Sequence, residues 1–288
     1  MRELIIGCLL LVLMASCGGK KKQVDPFETL TEQIDSAMTI HSDSVCEKVD
    51  AEEEAVPVAA DESFADFFYN FASDESFQRK RVVFPCPFYV GEVVKRIARD
   101  EWKYDPLFSC EPVYTVLFDS EEEMEVEKDT SIHSVQVDWI YLSEEKVQRY
   151  YFERKDNRWY LEAVDIHHSK AVSKDSTKED FLTFYENFSR DSVFQRSRLH
   201  NPLTFVTSDP EDEFQILETT LDEGQWFAFR PPMMKDRLTN VHYGQSENKD
   251  SDTKIVEFKG FGNGFNNTLY FKRRHGIWKL MEFEDLSD

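Results

Sequence analysis

The sequence is poor in the features that announce chemistry. Five cysteines occur in 288 residues, at 8, 17, 46, 86 and 110, and no two stand as C-x-x-C. That excludes a zinc knuckle and a thioredoxin-like redox pair. The ten glycines are too scattered for a phosphate-cradling loop, and neither H-E-x-x-H nor G-x-S-x-G occurs. The seven histidines keep no metal-ligand spacing, and the acidic run at 120–129 lacks the EF-hand pattern. It reads as an exposed loop. Positive charge is scarce: 34 Lys and Arg face 56 Asp and Glu, a formal net charge of −22. Such a chain repels phosphate backbones, so nucleic acid is not an expected partner. Apolar runs are short. "LIIGCLLLVLMA" has 12 residues, against roughly 20 for a membrane-spanning helix. No catalytic constellation, metal site or cofactor site emerges. What is abundant is phenylalanine, 24 residues in a chain that is 41% apolar. That suffices for packed cores, and the length for two domains.

The short apolar run follows Arg2 and has the length of a signal-peptide core. It ends in Leu13-Met14-Ala15-Ser16-Cys17, which resembles the bacterial lipobox. The resemblance implies that residues 1–16 are removed and that acyl chains on Cys17 hold the protein to a membrane, several chains making the attachment stable. In the Bacteroidota-type lipoproteins that the chain resembles, surface display goes with acidic residues after the cysteine. Here Gly18 and Gly19 precede three lysines, so the expected address is the outer membrane, on its periplasmic face. Residues 17–60 read as an acidic tether with a reach on the order of 35 Å. Phe27, Leu30, Ile34 and Met38 could stripe one weak helix within it.

Beyond the tether the chain repeats itself. Residues 64–90, "FADFFYNFASDESFQRKRVVFPCPFYV", align without gaps with 181–207, "FLTFYENFSRDSVFQRSRLHNPLTFVT", at an offset of 117. "YYFERKDNRWYL" (150–161) matches "LYFKRRHGIWKL" (269–280) at an offset of 119. Two blocks in register imply a duplication. The expected units are 61–170 and 177–288. In each, phenylalanines at i, i+3, i+4 and i+7 (Phe64, Phe67, Phe68 and Phe71 in the first copy) mark one helix face. Asp61 and Thr177 are candidate starts for these helices, Asp74 and Asp191 candidate caps of a second helical turn. Pro85 and Pro202 then begin extended chain. Four strands follow in each copy: "VYTVLFD", "SVQVDWIYL", "KVQRYYFER" and "RWYLEAVDI" in the first, "QWFAFR", "KIVEFKGF", "NTLYFKRR" and "IWKLMEFED" in the second. Hairpin turns are expected at Asp156-Asn157 and His275-Gly276. The predicted class is α+β, each copy a helical part packed on a curved antiparallel sheet.

That element order, with strands ending in Arg-x-x-x-x-Trp-x-Leu, resembles the nuclear-transport-factor-2-like cone fold. The motif F-Q-x-x-R-x-x-x-P resembles an uncharacterised family of Bacteroidota lipoproteins. The resemblance implies two tandem cones over 61–288 and no particular activity. The repeated cations Arg79, Arg81, Arg196 and Arg198 are candidates for an anionic ligand, or for pairing with carboxylates and holding helix to sheet. Gln78/Gln195 and Asn70/Asn187 are suited to satisfy backbone groups near helix ends. Cys86 and Cys110 could form a disulfide contributing roughly 3 kcal/mol in an oxidising compartment. The expected function is a non-enzymatic envelope module that binds a small ligand or a partner protein. The alternatives are a cone-fold enzyme, which needs an open cone with a polar floor in one copy, and a spacer with a broad apolar patch.

Overall fold

The computed structural model describes residues 63–168, 177–209, 212–245 and 250–288, with backbone alone at 212–214. The export segment, Cys17, the tether with its apolar stripe, Asp61 and Cys46 lie outside the described residues.

Helix α1, Phe64–Ser73, starts where the Ser63 side chain accepts from the Asp66 N–H. In the second copy Asp180 caps Phe181–Arg190 (α4 in chain order) by accepting from Thr183 N–H. The caps are therefore Ser63 and Asp180, with Thr177 lying in a turn ahead of its helix. Asp74 and Asp191 act as expected. The Asp74 N–H closes α1 on Asn70, while its carboxylate accepts from Ser76 and Phe77 N–H at 2.7 and 3.0 Å and opens α2, Glu75–Lys80. Asp191 does the same between α4 and α5, Ser192–Ser197.

Twelve strands follow among the described residues: β1 Cys86–Val90, β2 Val93–Ile97, β3 Val113–Phe118, β4 Ser134–Tyr141, β5 Lys146–Lys155, β6 Arg158–His168, β7 Leu199–Asp209, β8 Asp212–Leu221, β9 Arg237–His242, β10 Thr253–Gly260, β11 Asn266–Arg274 and β12 Ile277–Asp285. A short helix α3, Glu121–Met124, and a 3₁₀ turn, Glu125–Lys128, occupy the acidic run; Met124 and Val126 anchor it to the first core. The segment "QWFAFR" is not a strand. It belongs to helix α6, Glu223–Phe229, because Asp222 and Gln225 form a reciprocal capping box. Spacing of its aromatics imitates a strand; the cap decides. The hairpins turn where predicted, with positive φ at Asp156, Asn157, His275 and Gly276.

The sheets are mixed rather than wholly antiparallel. Their orders are β2-β1-β6-β5-β4-β9 and β3-β10-β11-β12-β7-β8. The chain leaving each helix pair runs parallel to the last strand of its own copy, as β1 on β6 and β7 on β12. Neither sheet is a simple meander of one copy. First-copy β3 pairs with β10, and second-copy β9 pairs with β4. The two exchanged strands cross at Thr115 and Thr239, both fully buried. Each threonine N–H donates to the other's Oγ1, at 2.6 and 2.9 Å, and each hydroxyl donates to the other's carbonyl, at 2.7 and 2.8 Å. The duplication is thus interlocked by a reciprocal trade of strands. The fold is α+β with two cone-like units, each sheet borrowing one strand.

Candidate functional site

Both cones are filled. In the first, Phe64, Phe67, Phe68 and Phe71 pack against Phe152 and Trp159, with ring centroids 5.1–6.4 Å apart. In the second, Phe181, Phe184 and Phe188 meet Phe271 at 5.4–5.6 Å, and Trp278 closes on Phe181 at 5.2 Å. Burying each such ring contributes about 1.5–3 kcal/mol.

The repeated polar residues maintain this packing. Gln78 and Gln195 are fully buried. Gln78 donates to the Phe71 carbonyl at 3.0 Å and accepts from Trp102 Nε1 at 3.2 Å. Gln195 donates to the Phe188 carbonyl at 2.8 Å and accepts from Trp226 Nε1 at 3.2 Å. Asn70 and Asn187 donate to the carbonyls of Asp66 and Thr183. The four candidate arginines are not brought together. Arg79 donates to the carbonyls of Arg99 and Trp102. Arg81 lies over the Phe77 ring at 4.8 Å. Arg196 covers Phe227 at 4.5 Å. Arg198 forms a fork with Glu179 at 2.9 and 3.0 Å. All four hold helix, loop and sheet to one another.

Cys86 is a free, fully buried thiol whose pKa is raised to about 11, by burial first and then by Glu162. Cys110 is disulfide-bonded, so the expected Cys86–Cys110 bond is not formed. Strand β1 turns the Cys86 sulfur into the first core, and sequence spacing could not fix its distance from the 3₁₀ turn Leu107–Cys110. His167 Nδ1 sits 2.9 Å from Asp165, and His168 is exposed. No group of His, Cys, Asp and Glu among the described residues could hold a metal ion.

One charged cluster is buried. Asp138, 2% exposed, takes a bidentate pair from Arg149 at 2.8 and 2.7 Å and lies 3.1 Å from His242 Nε2. These hydrogen bonds and charges hold its carboxyl below the ordinary aspartate range, against the burial that would raise it. The corresponding positions in the second unit, at the offsets of the paired strands, are Glu257, Thr268 and Phe118. Glu257 has no such fork, and burial raises its pKa, with Lys259 opposing.

A concave site among the described residues lies where the two units meet. A cleft of about 220 Å³ is walled by Phe64, Phe68, Tyr69, Tyr114, Tyr243 and Phe261. Tyr69 and Phe261 stack at 5.1 Å and 19°. Gly262, at φ +70°, lets the ring approach; a Cβ there would stand 3.0 Å from Tyr69. Asp66 is the acid among the described lining residues, and none of these is a cation. Burial raises the Tyr114 and Tyr243 pKa values, reinforced by Glu127 and Glu257, so both phenols stay protonated. Neither hydroxyl has a hydrogen-bond partner among the described residues.

The symmetry-related place in the second unit is built differently. Where the first has Tyr69, Phe261 and Gly262, the second has Glu186, Leu142 and Ser143. Ser143 donates to Glu186 at 2.8 Å and accepts from Arg190 at 2.9 Å, and Arg190 also pairs with Glu186 and Asp236. Ion pairs and hydrogen bonds replace the aromatic walls. The identities between the copies do not mark this cleft. The differences, Tyr69/Glu186 above all, carry the signal.

The domain of unknown function DUF4348 matches residues 42–285. The chain belongs to this family. A crystal structure of an NTF2-like protein from Bacteroides fragilis NCTC 9343 is 50% identical to it, with a TM-score of 0.77 over 81% of this chain and 100% of that one. The expected cone fold and membership of a family of unknown function are thereby met: this DUF4348 chain is NTF2-like in fold. No match was found among the curated proteins.

Proposed function

We propose that the chain is a lipid-anchored envelope protein whose folded part is a non-enzymatic binding module, seating a small ligand or a partner's side chain in the cleft beside α1. The supporting observation is asymmetry. The same helix-face packing on a Phe and a Trp recurs in both units, yet an aromatic cleft faces the seam on one side and a salt-bridged surface on the other. Core residues answer to stability; a wall built in only one copy needs another reason. The enzymatic alternative required an open cone with a polar floor, and both cones are occupied by rings. A fragment screen read by chemical shifts tests the reading. Binders should shift resonances of Tyr69 and Phe261, and Phe261→Ala should abolish the effect. A screen in which nothing touches these residues defeats it.

The anchor rests on the string Leu13–Cys17, and the periplasmic face on the lysines at 20–22. Among the described residues no helix is long and apolar enough to cross a membrane. Cys17→Ser should move the protein from the membrane fraction to the soluble envelope fraction. Protease added to intact cells should leave the wild type uncut. Retention of the variant in membranes removes the anchor from the reading.

A further inference from the structure

The chemistry of the cleft wall narrows its occupant; this step rests on the binding-module reading above. The walls supply flat apolar surface through the Tyr69–Phe261 stack and the buried rings of Phe64 and Phe68. Apolar surface alone would admit any hydrophobe. Three polar groups refine the choice. Tyr114 and Tyr243 line the cleft, and neither hydroxyl has a hydrogen-bond partner among the described residues, although Tyr243 is only 7% exposed. The carboxylate of Asp66 stands among the lining residues, accepting from Ser63. These groups come from three elements: β3, the chain just after β9, and α1.

Each class of ligand can be weighed against that arrangement. An anion has no cation to meet among the described lining residues, and Asp66 would repel it. An alkyl chain would cover two phenol hydroxyls without pairing them, which disfavours it. A planar heteroaromatic ring suits the stack but carries its polar atoms on limited parts of its edge. A neutral sugar ring has C–H faces that lie on aromatic rings, with hydroxyls and a ring oxygen around its perimeter. It can accept from two phenols and donate to one carboxylate together. A volume of about 220 Å³ falls below the roughly 300–1,000 Å³ of drug-sized sites and suits a single ring.

We propose that the cleft binds one uncharged monosaccharide unit, free or at the end of a glycan, stacked on the Tyr69–Phe261 platform and hydrogen-bonded by Tyr114, Tyr243 and Asp66. The full chain in detergent is titrated with neutral methyl hexosides and methyl N-acetylhexosaminides. Adenosine, benzyl alcohol and phenyl phosphate serve as comparison probes, with binding read by chemical shifts. At least one glycoside should bind and perturb Tyr114 and Tyr243. Tyr243→Phe, which keeps the ring, should weaken that binding about three- to tenfold, as one neutral hydrogen bond does. Gly262→Ala should weaken it further by moving Tyr69, with thermal unfolding as the check that both variants fold. If adenosine or benzyl alcohol occupies the cleft and no glycoside does, the sugar assignment is overturned while the binding module stands. If no probe of any class shifts these residues, both are overturned.

Discussion

At the scale of single residues, burial decides what a polar side chain is for. Gln195 satisfies the Phe188 carbonyl, the Trp226 indole and Arg230 from one fully buried site. Gln195→Leu should cost about 2–4 kcal/mol, because it leaves buried groups unpaired, each worth about 1–3 kcal/mol. Denaturant midpoints measure it; a loss under 0.5 kcal/mol would contradict the role given to the repeated glutamines. Asp138 and Glu257 should respond to pH in opposite directions. The Asp138 pKa is depressed on folding, so its stabilisation is present above the unfolded aspartate pKa of about 3.9 and is lost as pH falls through the lower folded value. The Glu257 pKa is raised, so the folded state loses stability as pH rises from about 4.3 through the folded value. Glu257→Gln should therefore raise Tm at pH 7 more than at pH 4. Asp138→Ala should lower stability at pH 7 by about 3–5 kcal/mol, through loss of the buried bidentate pair with Arg149, and should flatten the acid limb. Melting curves across pH check both.

Elements show where local signals prevail and where they fail. Asp74 and Asp191 each end one helix and begin the next, and this could be read directly, because a cap acts within three residues. The alternating aromatics of α6 resemble a strand, but the capping box at Asp222 and Gln225 makes the segment a helix. The hairpins β1–β2 and β7–β8 carry few buried side chains at their outer edges, so their apolar patterning was too faint to announce strands. The exchanged strands had legible β character but an illegible destination. Their coupling is measurable. Thr115→Val and Thr239→Val should each destabilise, and the double variant should fall short of the sum by on the order of 1 kcal/mol, since the side chains share four hydrogen bonds. Strict additivity would mean the crossing contributes nothing as a unit.

For the whole molecule, strand exchange makes the halves interdependent. Residues 61–170 expressed alone would lack β9 beside β4, and 177–288 would lack β3 beside β10. Neither fragment should give dispersed amide spectra by itself, and mixing the two should restore them. Independent folding of either half would refute the interlock. Sequence alone determined the duplication, the aromatic face of each first helix, the double-duty aspartates, the hairpin turns and the α+β class. All of these follow from contacts within a few residues or from identity between copies. Tertiary structure alone decided that Cys86 stays reduced, that the four arginines are tied down separately, that each sheet takes a strand from the other copy, and that one seam opens into an aromatic cleft while its counterpart is closed by ion pairs. The physical reason is range. Caps and periodicity act along the chain, but a strand's partner and a cavity's walls are set by groups more than a hundred residues apart, as Thr115 and Thr239 are.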